Sequence, residues 1–462
     1  MRRHGLAVLA LAAVMTLGVA GISAMAAEGW AQDGANWVYY NSSGSRISNA
    51  WRQGADGYWR YLDGSGVMIA NAWVDNDDYY VDSSGIMVSG KWLKVPNSRN
   101  NGDTDSEYIW YYFSNNGKAV KSKWEKIDNK WYYFDDTGAM LIGWILDNMY
   151  YTGSDGAMLT GWQRLIPPDG VDEENANSPM DSETNDGKKW YYFSTSGKKT
   201  VPDDDNENIK QKKINGVYYC LDEDGAMQTG WTCVTGDDSE DIEDYRYIDS
   251  NGTVRVGWYS IEPPEDLQSQ YDHDVEWFYF NNKGVPKVGP DKDNASTGDL
   301  TKINGHTYLF NDKGVPVYGL QKVSLSKNED DYTAYYFGSR SQSSMLTGKQ
   351  RVDEGGVSAQ YYFTTTGRGY TGVYDNCLYY MGKLQEADSG SRYEVFTVYS
   401  GSSHKNYVVN TSGRIAKNTT VKDRDGTKYK TNSGGVLLKE DDDEVDDRTY
   451  KSPEEPDWDS VD

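Results

Sequence analysis

The sequence has 462 residues, 37% of them hydrophobic, with 38 Tyr, 16 Trp, 9 Phe and 48 Gly. Aliphatic side chains are too sparse for an ordinary globular core of this length, so buried surface has to come from aromatic rings. A formal net charge of −25 at pH 7 argues against nucleic acid and anionic membrane as partners, suits a cationic ligand, and equally serves solubility.

In chain order, the basic stretch Met1-Arg2-Arg3-His4 precedes an apolar run from Leu6 to Val19, and small residues follow at Ala24 and Ala26. That order predicts a signal peptide over residues 1–26 rather than a membrane anchor, because the apolar run is short for a span. Neither a second long apolar stretch nor a sorting motif is read downstream.

Repetition then explains the chain. The clearest copy runs Trp131-Tyr132-Tyr133-Phe134-Asp135-Asp136-Thr137-Gly138-Ala139-Met140, followed by Gly143-Trp144. Trp190 to Gly197 and Trp110 to Gly117 repeat it, and weaker copies continue as far as Tyr429. Short copies recur about every twenty residues, the scale of a solenoid unit. The aromatic run predicts a strand, Asp-x-x-Gly a turn, and Ala-Met-x-x-Gly a short second strand. Trp131 and Tyr133 share one face of that strand and Tyr132 and Phe134 the other, so both faces call for cover. A lone hairpin is marginal in water, whereas stacked hairpins bury each other's rings. The predicted fold is all-β: a solenoid of stacked hairpins with acidic loop insertions.

Four polar spacers read as solvated loops: Pro167 to Gly187, Pro202 to Lys213, Glu262 to Glu276 and Pro290 to Thr301. Asp203-Asp204-Asp205 lacks the alternating spacing of a Ca²⁺ loop, so no metal site is expected. The expected organisation is Trp-rich hairpins over 27–280, degenerate Tyr-rich hairpins over 281–439 and a disordered acidic tail over 440–462. Cys220 stands where other repeats carry Phe and reads as a buried thiol, although a pair with Cys233 stays open. No HExxH, GxSxG or Cys/His pairing is found, and no interval in the first half is domain-sized, so no enzyme and no cofactor are expected.

The pattern GW…WYYFDDTGAMLIGW resembles the choline-binding, or cell-wall-binding, repeats of Gram-positive surface proteins. Related repeats occur in glucan-binding proteins and at the ends of clostridial toxins. The resemblance implies a ligand between consecutive hairpins, caged by two Trp of one repeat and a Tyr of the next, with Met often lining the site. Carried onto this chain, Trp124 and Trp131 are seven apart, with Met140 and Tyr150 completing a cage. Trp51 and Trp59 go with Met68 and Tyr79; Trp30 and Trp37 go with Tyr58 or Tyr61, with Ile47 in place of Met. Insertions split three further pairs: Trp92 with Trp110, Trp162 with Trp190, and Trp258 with Trp277. Trp73 and Trp144 lack the second Trp, since Asp78 and Met149 stand there.

The cage has a physical basis. A quaternary ammonium offers no ordinary hydrogen bond but is drawn to aromatic ring faces, Trp best. Trp and Tyr at hairpin spacing also pack the fold whether or not a ligand exists. Fifteen of the 16 Trp lie between Trp30 and Trp277, while Tyr-bearing hairpins continue beyond. Ligand cages are therefore expected before residue 280. The resemblance implies a secreted, non-catalytic protein held noncovalently on the cell wall through choline-bearing teichoic acid or a similar polymer. Glycan binding on the same rings, an adhesin role and a structural surface role stand beside it.

Overall fold

The computed structural model describes residues 28–97, 106–169, 187–202, 209–235, 239–291, 294–326, 331–445 and 447–458. The signal-peptide segment, most of the first spacer and residues 203–208 of the second lie outside them. The chain divides into two compact units, residues 1–163 with 192–199, and residues 164–191 with 200–462.

The first unit is a succession of two-stranded antiparallel hairpins. In the clearest copy, Lys123–Ile127 pairs with Lys130–Phe134, with Trp124 opposite Tyr133 and Trp131 opposite Lys126. Asp128 and Asn129 join the strands at φ of 49° and 67°. Two successive positive-φ residues give the turn whose twist matches that of the strands. The aromatic run is thus the second strand of a hairpin, and its partner is the preceding Trp-bearing segment. The expected hairpin across Asp-x-x-Gly is reduced to a turn closed by a single bridge, Phe134 to Met140. The sequence reading took the stronger turn signal and missed Asp-Asn.

That second turn has its own chemistry. Asp135 Oδ1 accepts the N–H groups of Thr137 and Ala139 at 2.9 and 2.8 Å. Gly138 adopts φ of 90° and donates to the Asp135 carbonyl at 3.1 Å. One residue per repeat, at the end of the aromatic strand, forms the core: Leu62, Val81, Phe113 and Phe134 are fully buried. Trp92 packs forward onto Tyr132 and Phe134 of the next hairpin, at 4.8 and 5.7 Å. This hairpin-on-hairpin contact buries surface that a single copy cannot.

The second unit starts on the same pattern and then departs from it. Residues 348–384 form a five-stranded sheet and residues 420–444 a four-stranded one, beside a long hairpin of Tyr393–Ser400 with Ser403–Asn410. Antiparallel hairpins thus continue beyond residue 348, where they join into larger sheets. Two predicted solvated loops fold back instead. Glu265–Gln270 is a 3-10 helix that buries Leu267 against Ile242, Tyr245 and Phe278. Ala295 joins a cluster with Leu309, Val323, Tyr335 and Phe337. In the second spacer, Ile209–Ile214 is a strand paired with Val217–Asp222.

The segment expected to be a disordered tail is ordered over its described residues. Leu437–Glu440 pairs with Asp443–Glu444. Lys451 Nζ meets Glu394 at 2.9 Å, and the Trp458 ring lies 6.0 Å from that of Tyr332. Its acidity suggested disorder, but Lys451, Tyr450 and Trp458 supply the anchors. Cys220, Cys233 and Cys377 are free thiols. Burial pushes the Cys220 thiol up to about 12, as suits an inert core residue. No helix among the described residues is long and apolar enough to cross a membrane.

Candidate functional site

In five hairpins the register places two Trp on one diagonal. Trp92 lies opposite Tyr112 and Trp110 opposite Lys94, so the two indoles share a face two residues out of step. Their ring centroids are 6.4 Å apart at 86°. The pair split by an insertion in the sequence thus meets. Trp258 and Trp277 repeat the arrangement at 6.4 Å and 76°. Trp30 with Trp37, Trp51 with Trp59, and Trp124 with Trp131 occupy the same diagonal by register.

The two positions do different work. The first-strand Trp packs against the Tyr across its own hairpin and the Tyr of the next. Trp51 lies 5.1 Å from Tyr61 and 5.2 Å from Tyr79, and Trp124 lies 5.3 Å from Tyr133 and 5.4 Å from Tyr150. The second Trp stays open to solvent: Trp59, Trp110, Trp131 and Trp277 are 42–43% exposed. An indole with a face left in water is not there for the core, which separates the packing Trp from the presenting one.

Methionine sits one repeat away from its expected place. The Met140 N–H donates to the Trp110 carbonyl at 2.9 Å, and Met140, like Trp92 and Tyr132, packs against the cluster of Val120, Ile127 and Phe134. Trp131 instead receives Met158 at 2.8 Å, Trp59 receives Met87 at 2.9 Å, and Trp37 receives Met68 at 2.8 Å. Met140 and Met68 thus bond to the Trp one hairpin before the pairs they were matched with from sequence. The best-formed cage is Trp92, Trp110 and Tyr132 with Met140. By register, Trp51, Trp59 and Tyr79 with Met87, and Trp124, Trp131 and Tyr150 with Met158, hold the same positions in two further hairpins.

The remaining assignments separate. Tyr61 packs on Trp51 and Tyr58 is 55% exposed, so the Trp30–Trp37 pair is closed by neither; Trp30 Nε1 donates to the Gln53 carbonyl at 3.3 Å. Trp162 packs 5.2 Å from Tyr192. Trp190, in the second unit, receives the Met227 N–H at 2.9 Å. Acidic groups lie close to some rings: Trp51 Nε1 donates to Asp75 at 2.9 Å. Among the described residues no group of three or more His, Cys, Asp or Glu could hold a metal.

Residues 120–162 match the choline-binding repeat family, and residues 104–119 and 184–199 match the putative cell wall binding repeat family. Choline-binding repeats are thus recognised over residues 120–162. It is 27% identical over 349 residues to glucosyltransferase-S of Streptococcus mutans, a match covering 72% of this chain and 20% of that protein. The chain thus spans about a fifth of the length of that curated relative. Solved structures similar to it include CbpJ of Streptococcus pneumoniae, at 20% identity over 69% of this chain and 99% of that one, TM-score 0.39. Choline binding protein F of the same organism, solved with a peptidoglycan analogue, is 21% identical over 69% and 98%, TM-score 0.39.

Two of the hairpins lack the presenting Trp, and in both a lysine of the following hairpin enters. Asp78 holds the position in one, its carbonyl accepting from Ala119 at 2.8 Å. Its carboxylate meets Lys118 at 2.9 Å and Lys121 at 3.0 Å, which hold the Asp78 carboxyl below the usual range. Met149 holds it in the other, its carbonyl accepting from Lys199 at 2.8 Å. Lys199 stands where other repeats carry Met, and its ammonium lies 5.1 Å from the Trp144 centroid. Sequence reasoning missed Tyr132, Met87, Met158 and Lys199. A constant spacing could have found the last three, since each follows the final residue of its aromatic strand by six.

Proposed function

We propose that this chain is a non-catalytic wall-binding protein that is secreted and retained on the bacterial surface through its aromatic cages, each taking a quaternary ammonium such as the choline of teichoic acid. The observation that carries the reading is the Trp92–Trp110–Tyr132 arrangement, with two rings meeting at 86°, a third from the next hairpin, and Trp110 open to solvent. Rings at steep angles surround a compact cation with π-faces, each contributing roughly 0.5–2 kcal/mol. Three rings then give about 4 kcal/mol, or roughly millimolar affinity. A repetitive polymer meeting several such cages multiplies this by avidity. The net charge of −25 favours a cationic ligand over an anionic one.

Retention on choline-substituted resin, dextran resin and purified walls tests the proposal. Binding to choline resin and to walls, with release by excess free choline, is the expected outcome. Wall retention that persists in excess choline would overturn it in favour of a glycan.

A further inference from the structure

One cage differs from the others in its outer wall. Trp258, Trp277 and Tyr308 line an open cavity of about 330 Å³, with Trp258 4.9 Å from Tyr308. The far side is built by Arg340 and residues 341–344, three serines and a glutamine. The Met position of the repeat is Pro316 here, in the single bridge to Phe310. Proline has no N–H to place against the Trp277 carbonyl.

Arg340 is fixed in place. Its Nη2 donates to the Val275 carbonyl at 2.6 Å and lies 3.3 Å from Glu276 Oε2. Glu276 is buried, and its other oxygen is 3.0 Å from His273 Nδ1. Both carboxylate oxygens are therefore engaged within the protein, while the guanidinium lines the cavity. The guanidinium, paired with Glu276, makes this wall polar where the other cages present an apolar Met, and it offers a quaternary ammonium no attraction. Hydroxyl, amide and guanidinium groups facing two indoles and a phenol suit a ligand with an apolar face and a polar edge. A pyranose ring has that form: axial C–H groups on one face and hydroxyls around the rim. The volume accommodates one or two such rings.

We infer that the Trp258–Trp277–Arg340 cavity is a saccharide site, distinct in ligand from the ammonium cages upstream. The indoles take the C–H face of a pyranose, and Arg340 with the serines and Gln342 takes its hydroxyls. The sugar belongs either to an α-glucan or to the disaccharide backbone of peptidoglycan.

The test uses the full chain labelled with 5-fluorotryptophan, with Trp277→Phe assigning the Trp277 fluorine resonance. Isomaltotriose, the N-acetylglucosamine–N-acetylmuramic acid disaccharide and choline are titrated separately. The expected result is that one of the two saccharides moves the Trp277 signal and choline does not. Arg340→Ala combined with Glu276→Gln, which removes the guanidinium without leaving a buried charge unpaired, weakens the saccharide response by about 10-fold or more while the choline response of the upstream tryptophans is kept as the check on folding. Choline moving Trp277 at the concentrations that move the other tryptophans overturns the inference, as does silence toward both saccharides. A chain whose tryptophans all ignore choline while Trp277 answers a sugar would refute the ammonium cages and leave this site standing.

Discussion

Lys199 places its ammonium 5.1 Å from the Trp144 ring centroid while its own N–H bonds the Met149 carbonyl at 2.8 Å. The cage that lacks a presenting Trp is thereby filled by a cation of the chain itself. Restoring the pattern should open it. Met149→Trp combined with Lys199→Met is expected to add one bound choline per chain, with roughly millimolar affinity. Met149→Trp alone should add none, because Lys199 stays. Equilibrium dialysis with labelled choline measures the stoichiometry, and an unchanged count in the double variant would rule out self-occupancy.

The packing and presenting tryptophans should separate by phenotype. Trp124 lies against Tyr133 and Tyr150, so Trp124→Ala is expected to destabilise its hairpin pair by about 2–3 kcal/mol. Trp131 is 42% exposed, and Trp131→Ala should cost under about 1 kcal/mol while removing one ligand site. Urea unfolding and choline stoichiometry on the same two variants check both halves.

Asp222 gives the chain a pH signature. Burial raises its carboxyl to about 6, although it accepts the Ala226 N–H at 2.8 Å. The unfolded value is near 3.9. Between the two the folded chain binds more protons, so this group's contribution falls as pH rises from about 4 through 6. Asn281 and Asn311 fill the same turn position and accept the equivalent N–H bonds. Asp222→Asn should therefore fold and lose the slope. Relative to the variant, the natural chain should gain about 1–2 kcal/mol between pH 7.5 and pH 5. Denaturant midpoints that run parallel across this range would contradict the assignment.

The turn glycines carry the methionines. Gly156 has φ of 77°, and a Cβ there would overlap the Met140 sulfur. Gly156→Ala should destabilise by about 2 kcal/mol, part backbone strain and part clash. Adding Met140→Ala should return part of that loss, since only the clash is relieved. Strictly additive costs in a double-mutant cycle would mean that the two residues do not touch in solution.

Much of this was legible in the sequence. Period-two aromatics and Asp-x-x-Gly announced β-hairpins, and the Trp spacing pointed to pairs that share a face. Trp92 and Trp110 could be matched across their insertion because the flanking repeat is so regular. Three features were hidden. The true hairpin partner lay upstream, behind the short Asp128–Asn129 turn. The Met offset depends on a hydrogen bond between one hairpin and the turn of the next, which linear spacing within a repeat does not express. The folding back of Glu265–Gln270 and of the segment around Trp458 rests on a few apolar anchors within acidic runs, and composition averages those away.

The bond from the Met158 N–H to the Trp131 carbonyl crosses from one repeat to the next. A cage is consequently the property of a junction rather than of a repeat. If a whole repeat were lost or duplicated, the new junction would still bring the carbonyl at the presenting position, Trp in several repeats and Asp78 or Met149 in two, to a following N–H. On the proposed function, the number of cages would then change in integer steps, one junction at a time. A break within a repeat splits a presenting Trp from its own hairpin and deletes two half-sites at once. Unequal exchange in whole units is therefore the inexpensive way for such a chain to retune how tightly it holds a surface.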